Sequence, residues 1–368
     1  MGGDPRLDPE RKPESILPTL LPRRRGRAAL VASGIAIAVA GGAVILFVLL
    51  SGGRGGRTGP NHVPGRGGGL QTTQASVVAL DPRTRTVTAH APVDLGLRRF
   101  SVAGKLTIGE GALWVTSTAG QTQLLKADPT TGRVTHTIVL SNLRAFGTPQ
   151  VATGDGRVWT LAGNTIYRTD PVTDTSTPIG PLEGTPTGLA VTHGAIWVST
   201  QEGALARLDL GSRRVTATYS VGASASGVVV GGGDVWVSDT LQGVVYRFDP
   251  VKKKVVQTVT LPGGADAIAA GRGGIWVVDR TAGTVVRIDQ KDGSLSPTIR
   301  VGRQPFDVAV GAGAVWVANS GEGTISRIDP ASMQVSTIRV ASSTGPDFIT
   351  AAPGSVWMTF TTKPAAYG

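Results

Sequence analysis

A fixed repeat of about forty residues governs most of this chain, and a period of that length restricts the fold to an array of one small supersecondary unit. All seven Trp occupy a single motif. They stand in Gly-Ala-Leu-Trp114-Val, Gly-Arg-Val-Trp159-Thr, Gly-Ala-Ile-Trp197-Val, Gly-Asp-Val-Trp236-Val, Gly-Gly-Ile-Trp276-Val, Gly-Ala-Val-Trp316-Val and Gly-Ser-Val-Trp357-Met, spaced 45, 38, 39, 40, 40 and 41 apart. A second marker keeps the same period: Asp81, Asp128, Asp170, Asp209, Asp249, Asp289 and Asp329, five of which precede Pro. Seven copies of each marker mean seven repeats.

Within a repeat, short β-branched runs alternate with turn residues. Residues 227–230, Val235–Asp239, Val244–Asp249 and Val255–Leu261 read as four strands. Gly231-Gly232-Gly233 supplies the positive φ of a tight hairpin, and Asp-Pro followed by Thr-Gly or Lys-Lys supplies the next turn. Four antiparallel strands repeated seven times predict an all-β, seven-bladed β-propeller. The order of the markers also predicts how the ring closes. The array opens at Ala75 with an Asp81 half-repeat that has no Trp, and ends with a Trp357 half-repeat that has no Asp-Pro. Two strands from each end are expected to share one blade, which pairs the last edge. Both ends of the domain, residues 75–368, then leave from the face that carries the loops between second and third strands.

Composition narrows the chemistry. The chain has no Cys, which removes disulfides, thiolate metal sites, a cysteine nucleophile and lipid attachment to Cys. Its only His are His62, His90, His136 and His193, too few for imidazole-rich metal sites. The net charge of +11 is unevenly placed: residues 1–69 hold 10 Lys/Arg and 4 Asp/Glu, against 26 and 21 in residues 70–368. That modest excess over the repeats makes nucleic acid an unexpected partner.

Ala28 to Leu50 carries no charge, and as a helix this run spans about 34 Å, enough for a bilayer core. It reads as one transmembrane helix, residues 28–50. Arg11, Lys12, Arg23, Arg24, Arg25 and Arg27 precede it and only Arg54, Arg57 and Arg66 follow closely. The N-terminus is therefore expected in the cytoplasm and the bulk of the chain outside it, as a single-pass protein of the cell membrane. A cleaved signal peptide is the alternative, but the run exceeds the roughly 7–15 apolar residues usual there. Residues 1–27 read as a disordered cytoplasmic tail, and 51–74 as a Gly-rich linker with nine Gly in residues 51–69 and a reach of roughly 25 Å.

A residue present in every repeat is explained first by the repeat. The Trp are expected to fill the core between blades, and the repeated Asp to cap the turn after the third strand. Two positions before that Asp stand Ala79, Lys126, Arg168, Arg207, Arg247, Arg287 and Arg327, which share a strand face with it and suggest a repeated charge pair. Function is sought where the repeats differ. Three residues after each Trp come Ser117, Ala162, Thr200, Asp239, Asp279, Asn319 and Phe360, with Asp266, Asp307, Asp347, Arg280, Arg303 and Glu322 close by in sequence. Asp239, Asp279, Asn319, Asp266, Asp307 and Arg280 are the candidate ligand-binding group at the channel mouth. Asp239 and Asp279 are the candidates for Ca²⁺ or Mg²⁺; the competing reading is that these side chains cap their own turns. Lys252–Lys254, Arg83, Arg85, Arg133, Arg213, Arg214 and Lys291 fall in the turns of the opposite face.

The stretch Val301-Gly-Arg-Gln-Pro-Phe-Asp-Val-Ala-Val-Gly-Ala-Gly-Ala-Val-Trp316, continued by Arg327-Ile-Asp-Pro330, resembles the YVTN or YncE-like bacterial β-propeller repeat and is similar to repeats of the virginiamycin B lyase group. The resemblance covers residues 75–368. For the lyase group it implies elimination from a macrocyclic lactone by a His base with a supporting Glu and Mg²⁺; here none of the four His lies in the last four Trp-bearing repeats, so no catalytic residue carries over. For the YncE-like group it implies extracytoplasmic binding, including of nucleic acid, to which the modest charge of the repeats gives little support. The sequence thus leads to a membrane-anchored extracytoplasmic propeller that binds a ligand or a protein, with a metal-assisted lyase or hydrolase as the alternative.

Overall fold

The computed structural model describes residues 36–40, 43–47, 75–92, 103–118, 121–141, 147–341 and 345–361. Seven four-stranded antiparallel sheets form the blades of a propeller. Blade 1 consists of Ala103–Gly109, Ala112–Ser117, Thr122–Ala127 and Val134–Ser141, and blades 2 to 6 follow at 150–181, 186–220, 225–260, 267–300 and 305–339. First strands of successive blades are neighbours all the way round, so they line the axis while fourth strands form the rim. The fourth strand of blade 5 shrinks to Ile299–Arg300, and Pro297 just before it explains why pairing begins late.

Closure follows the order of the sequence markers. Blade 7 runs Ile349–Ala352, Ser355–Phe360, Ser76–Leu80, Val87–Pro92, with Ser76 opposite Phe360 and Ala79 opposite Trp357. Backbone pairing thus joins the two ends of the domain. Ala75 and Thr361 flank this junction on the face of the blade connections and of the loops between second and third strands, hereafter the mouth face. The opposite, turn face carries the hairpins between first and second and between third and fourth strands.

The turn after the third strand is built the same way in each blade. Oδ1 of the repeated Asp accepts a backbone N–H two or three residues on, from Arg83 at 2.7 Å, Thr131 at 2.7 Å, Val172 at 2.9 Å, Ser212 at 2.8 Å, Lys252 at 2.8 Å, Lys291 at 2.9 Å and Ser332 at 2.9 Å. These amide bonds hold the carboxyls of Asp128, Asp170, Asp209, Asp249 and Asp329 below their ordinary pKa. Four residues after each Asp the chain enters the left-handed region. Gly132 and Gly293 suit it, whereas Arg85, Asp174, Arg213, Lys253 and Met333 adopt φ of 60, 57, 56, 56 and 59°.

The seven Trp are between 0 and 3% exposed and pack between adjacent sheets. Five of them have Gly five residues earlier, and in each of these the indole Nε1–H donates to that Gly carbonyl: Trp114 to Gly109 at 3.0 Å, Trp159 to Gly154 at 3.1 Å, Trp236 to Gly231 at 2.9 Å, Trp276 to Gly271 at 3.2 Å and Trp316 to Gly311 at 3.0 Å. Gly is required there because a Cβ on Gly311 would lie 2.1 Å from the Ala351 carbonyl of the next blade, and one on Gly271 would lie 2.7 Å from Val310. Blade 7 has Ala352 in that column, and the buried Nε1 of Trp357 has no partner.

Of the run 28–50, the structure describes two five-residue segments. Ala36–Ala40 and Ala43–Phe47 pair as antiparallel strands, with Ala36 opposite Phe47 and Ala40 opposite Ala43. In the sequence, the Gly41-Gly42 pair between these runs is a hairpin signal in its own right. No helix among the described residues is long and apolar enough to cross a membrane. The tail 1–27, the remainder of 28–50 and the linker to residue 74 lie outside the described residues.

Candidate functional site

The mouth face collects the residues singled out by departure from the repeat, but they divide into two layers. Asp239, Asp279 and Asn319 end the second strands of blades 4, 5 and 6 and lie beneath the surface, at most 8% exposed. Their polar atoms are engaged locally. Asp239 accepts N–H groups from Ala223 at 3.1 Å, Ser224 at 3.0 Å and Gln242 at 3.0 Å. Asp279 accepts those of Gly264 at 2.8 Å, Thr281 at 2.9 Å and Ala282 at 2.8 Å. Asn319 donates from Nδ2 to Thr324 and Ser326, both at 3.0 Å, and its Oδ1 is buried without a partner. Each Asp ties the loop after its strand and the connection entering its own blade, whereas Asn319 bonds two hydroxyls of the third strand, Thr324–Ile328. Among the described residues no group of three or more His, Asp or Glu is placed to hold a metal ion.

A second column, ten residues before the Trp, repeats one function with different chemistry. Ser226 Oγ accepts the Thr240 N–H at 3.0 Å, Asp266 Oδ2 that of Arg280 at 2.8 Å and Asp347 Oδ2 that of Thr361 at 3.1 Å. Burial raises the pKa of both Asp266 and Asp347; for Asp266 the charge of Asp279 adds to the rise, while the Arg280 N–H opposes it. In blade 6 that column holds Phe306, and the next residue is Asp307.

Around Phe306 the mouth is assembled from four blades. Arg280 of blade 5 stacks on the Phe306 ring at 4.8 Å, and Phe306 meets Phe348 of blade 7 edge-on, with centroids 5.1 Å apart. Lys105 of blade 1 lies over Phe348 at 5.5 Å and pairs with Asp307 of blade 6 at 2.6 Å. Asp307 Oδ2 also accepts the Ile349 N–H of blade 7 at 3.0 Å. The result is a cation–ring–ring–cation ladder crossing the closing blade, with the buried Asp307 carboxylate held by Lys105. The Lys105–Asp307 pair clasps blades 6 and 1 across the blade made from the two chain ends.

Of the six candidates, the structure therefore brings Arg280, Asp266 and Asp307 to this ladder, sets Asp239 and Asp279 to work as caps, and sets Asn319 to bridge to the third strand of its own blade. Lys105, Phe306 and Phe348 were missed by sequence reasoning. Their signal was present in the two columns nine and ten residues before the Trp, where aromatic residues appear only as Phe306 and Phe348. The neighbouring Arg303 and Glu322 form a separate pair at 3.6 Å. The described His lie elsewhere: His90 is on a rim strand, His136 is 3.4 Å from Asp174, and the exposed His193 is 3.2 Å from Asp155 on the turn face.

The expected charge pairs of the third strand are largely present and take several forms. Lys126 binds Asp174 of the next blade at 2.9 Å, whereas Arg207, Arg247 and Arg287 pair within their own blades with Asp209, Asp234 and Asp289. Lys126, Arg247 and Arg327 also lie over the cross-strand rings of Trp114, Trp236 and Trp316 at 5.7, 5.2 and 5.9 Å.

Fold and repeat together define a β-propeller repeat protein. The family described as a repeat of unknown function, DUF6923, matches residues 69–217, the stretch that holds the N-terminal half of blade 7 and blades 1 to 3 almost to their end. No curated protein matches the chain.

Proposed function

We propose that the chain is a membrane-anchored, extracytoplasmic propeller of the YVTN/YncE-like kind that binds a ligand or protein at its mouth. The observation that carries the binding reading is the Arg280–Phe306–Phe348–Lys105 ladder. Repeated residues serve the blades, whereas this ladder stands at one place among the described residues, is half exposed, and combines flat apolar surface with cations and half-buried carboxylates of raised pKa. Loops held on a rigid scaffold are where binding surfaces are generally placed. Arg280 makes no close ion pair with the described residues; its charge lowers the pKa of Asp266 and Asp347, and an anionic group of a ligand would share it with them.

The anchor rests on the charge-free run 28–50 and its basic N-terminal flank. In that arrangement the mouth face, which both domain ends leave, looks toward the membrane across the Gly-rich linker. The absence of Cys makes a direct test simple. A single Val172→Cys or Val251→Cys substitution, at positions 86% exposed, is expected to react with a membrane-impermeant maleimide on intact cells; reaction only after lysis refutes the extracytoplasmic placement. For the mouth, a photoreactive side chain at Phe306 is expected to form an adduct that the same group at Val172 does not, and that Arg280→Gln weakens. Equal labelling from both positions refutes the mouth as the binding surface.

A further inference from the structure

Side chains latch the rims of two blade junctions. Where blade 1 meets blade 2, Lys126 of the third strand and His136 opposite it on the fourth both reach Asp174 of the next turn, at 2.9 and 3.4 Å. Where blade 4 meets blade 5, Arg247 donates to the Lys291 carbonyl at 3.0 Å, and Gln257 opposite it donates to the Asp292 carbonyl at 2.9 Å. The junction between blades 5 and 6 has neither latch. Arg287, the cation of blade 5, turns back to the Gly273 carbonyl and Asp289 at 3.2 Å each, and the Ser296 hydroxyl engages the Arg287 N–H and the Pro297 carbonyl of its own blade. Pro297 keeps the fourth strand to two residues, and a cavity of about 410 Å³ opens between the two rims.

Pro297 and Ile299 line this groove from blade 5, Met333 and Val335 from blade 6. Met333 holds its left-handed φ of 59° at the position filled by Gly132 and Gly293 in blades 1 and 5, so a long apolar side chain stands where those turns have none. Charge is graded along the groove. Arg300 lines it, and Arg339 shares with Val335 the strand face opposite to Ile338, which packs toward blade 7. Arg300 stands opposite Thr284 and Arg339 opposite Thr324, at the mouth end of the strands, whereas Pro297 and Met333 lie toward the turn end. Both Arg are exposed and make no ion pair among the described residues. Residues 294–304 and 330–346 contain no Asp or Glu. The flanking acids are engaged: Asp289 by Arg287, Asp292 by the Ser294 N–H at 2.8 Å, Asp329 by the Ala331 and Ser332 N–H at 3.0 and 2.9 Å, and Glu322 by Arg303 at 3.6 Å.

We propose that this rim groove docks an extended acidic segment of a partner protein, with one aromatic side chain seated between Pro297 and Met333 and carboxylates three or four residues away meeting Arg300 and Arg339. A Met thioether adapts to an aromatic ring and packs favourably against it, and aromatic anchors seated in pockets dominate the energy of such interfaces. In strand geometry Pro297 to Arg300 and Val335 to Arg339 span about 10 and 13 Å, which sets the spacing between anchor and acid. The two unpaired cations, with no acid beside them, select an acidic partner and repel a basic one. The groove lies on the rim, and this inference stands independently of the mouth reading.

The test uses the purified full-length chain and a fluorescein-labelled peptide, Asp-Glu-Thr-Ser-Trp-Ser-Thr-Glu-Asp, which places acids three and four residues from the ring in either chain direction; binding is followed by fluorescence anisotropy. Wild type is expected to bind it saturably, and peptides with Ala for Trp or Lys for the acids to bind at least about tenfold more weakly. Met333→Gly removes one wall of the groove and puts an unstrained residue at the left-handed position. It is expected to lose about tenfold in affinity while the melting midpoint moves little, because relief of strain offsets lost packing. Val335→Asp, at an exposed position, is expected to weaken binding too, and Arg300→Gln with Arg339→Gln to flatten its dependence on salt. No saturable binding by wild type, equal affinity for the Trp and Ala peptides, or full affinity in Met333→Gly overturns the proposal. So does decanoate displacing the label as well as unlabelled peptide does, which indicates an amphiphile site, or a sedimenting dimer that Val335→Asp abolishes, which indicates a second copy of this chain.

Discussion

The repeat supplies an internal control for the worth of one buried hydrogen bond. Trp316 and Trp357 occupy the same column, both 0% exposed. Trp316 Nε1–H donates to the Gly311 carbonyl at 3.0 Å, whereas the Trp357 Nε1–H is buried without a partner. Replacing either by Phe removes the same ring atoms from a similar inter-blade space, so the packing losses nearly cancel in the comparison. What remains is the polar group, together with the Arg327 contact on the Trp316 ring, which adds to the loss at that position and has no counterpart at Trp357 opposite Ala79. Trp316→Phe forfeits a net hydrogen bond of about 1 kcal/mol, and Trp357→Phe relieves an unsatisfied donor that costs about 1–3 kcal/mol. Trp316→Phe should therefore be the more destabilising by about 2 kcal/mol or more, which at roughly 2–4 °C per kcal/mol for large domains is a gap of about 4 °C or more between melting midpoints. Thermal unfolding followed by circular dichroism on both variants and wild type measures it. Equal midpoints, or a lower one for Trp357→Phe, would refute the reasoning that the column five residues before the Trp decides indole satisfaction.

Removing the clasp with Lys105→Met leaves Asp307, whose side chain is 3% exposed, with the Ile349 amide and no cation; because Lys105 is itself 28% exposed, the expected loss is about 1–3 kcal/mol rather than the full cost of breaking a buried pair, read from urea unfolding, and an unchanged midpoint contradicts it. The raised pKa of Asp347 means that the native state holds its proton to higher pH than the unfolded chain, so this group's contribution to stability falls as pH rises from the unfolded value through the folded one. Asp347→Asn, which keeps an acceptor for the Thr361 N–H, should melt higher than wild type at neutral pH, with the gap closing toward about pH 4; a gap that does not depend on pH counts against the assignment. Asp239→Ala strips an acceptor from three amides and should cost about 2–4 kcal/mol, again by unfolding. Because the oxygens of Asp239 and Asp279 already accept amides, millimolar Ca²⁺ or Mg²⁺ is expected to leave the melting midpoint unmoved, whereas a saturable rise abolished by Asp279→Ala would establish a metal site there.

The mouth residues show where legibility in the sequence stops. Asp239 and Asp279 were visible as breaks in the repeat, and so were the two readings open to them, metal ligand or turn cap; side-chain identity could not choose between these, because the choice depends on whether loop amides point at the carboxylate. Lys105 and Asp307 stand 202 residues apart, and no local pattern announces that they touch. In the N-terminal segment the length and charge of the apolar run were legible, but the Gly41-Gly42 hairpin signal competed with them at the same positions.

Blade number, the four strands of each blade, the Asp-capped turns and the shared closing blade can all be read from the order of residues. Each follows from short-range chemistry repeated with a fixed period: alternation along a strand, a carboxylate two or three residues from the amide it caps, and half-repeats at the two ends. Ring closure sets which columns meet: that Lys105 crosses blade 7 to Asp307, that Phe306 and Phe348 pack between two cations, and that Lys126 reaches Asp174 of the next blade. Those contacts arise when the ring closes and brings each blade against the next, and the resulting distances are a property of the curvature of the whole array rather than of any single repeat.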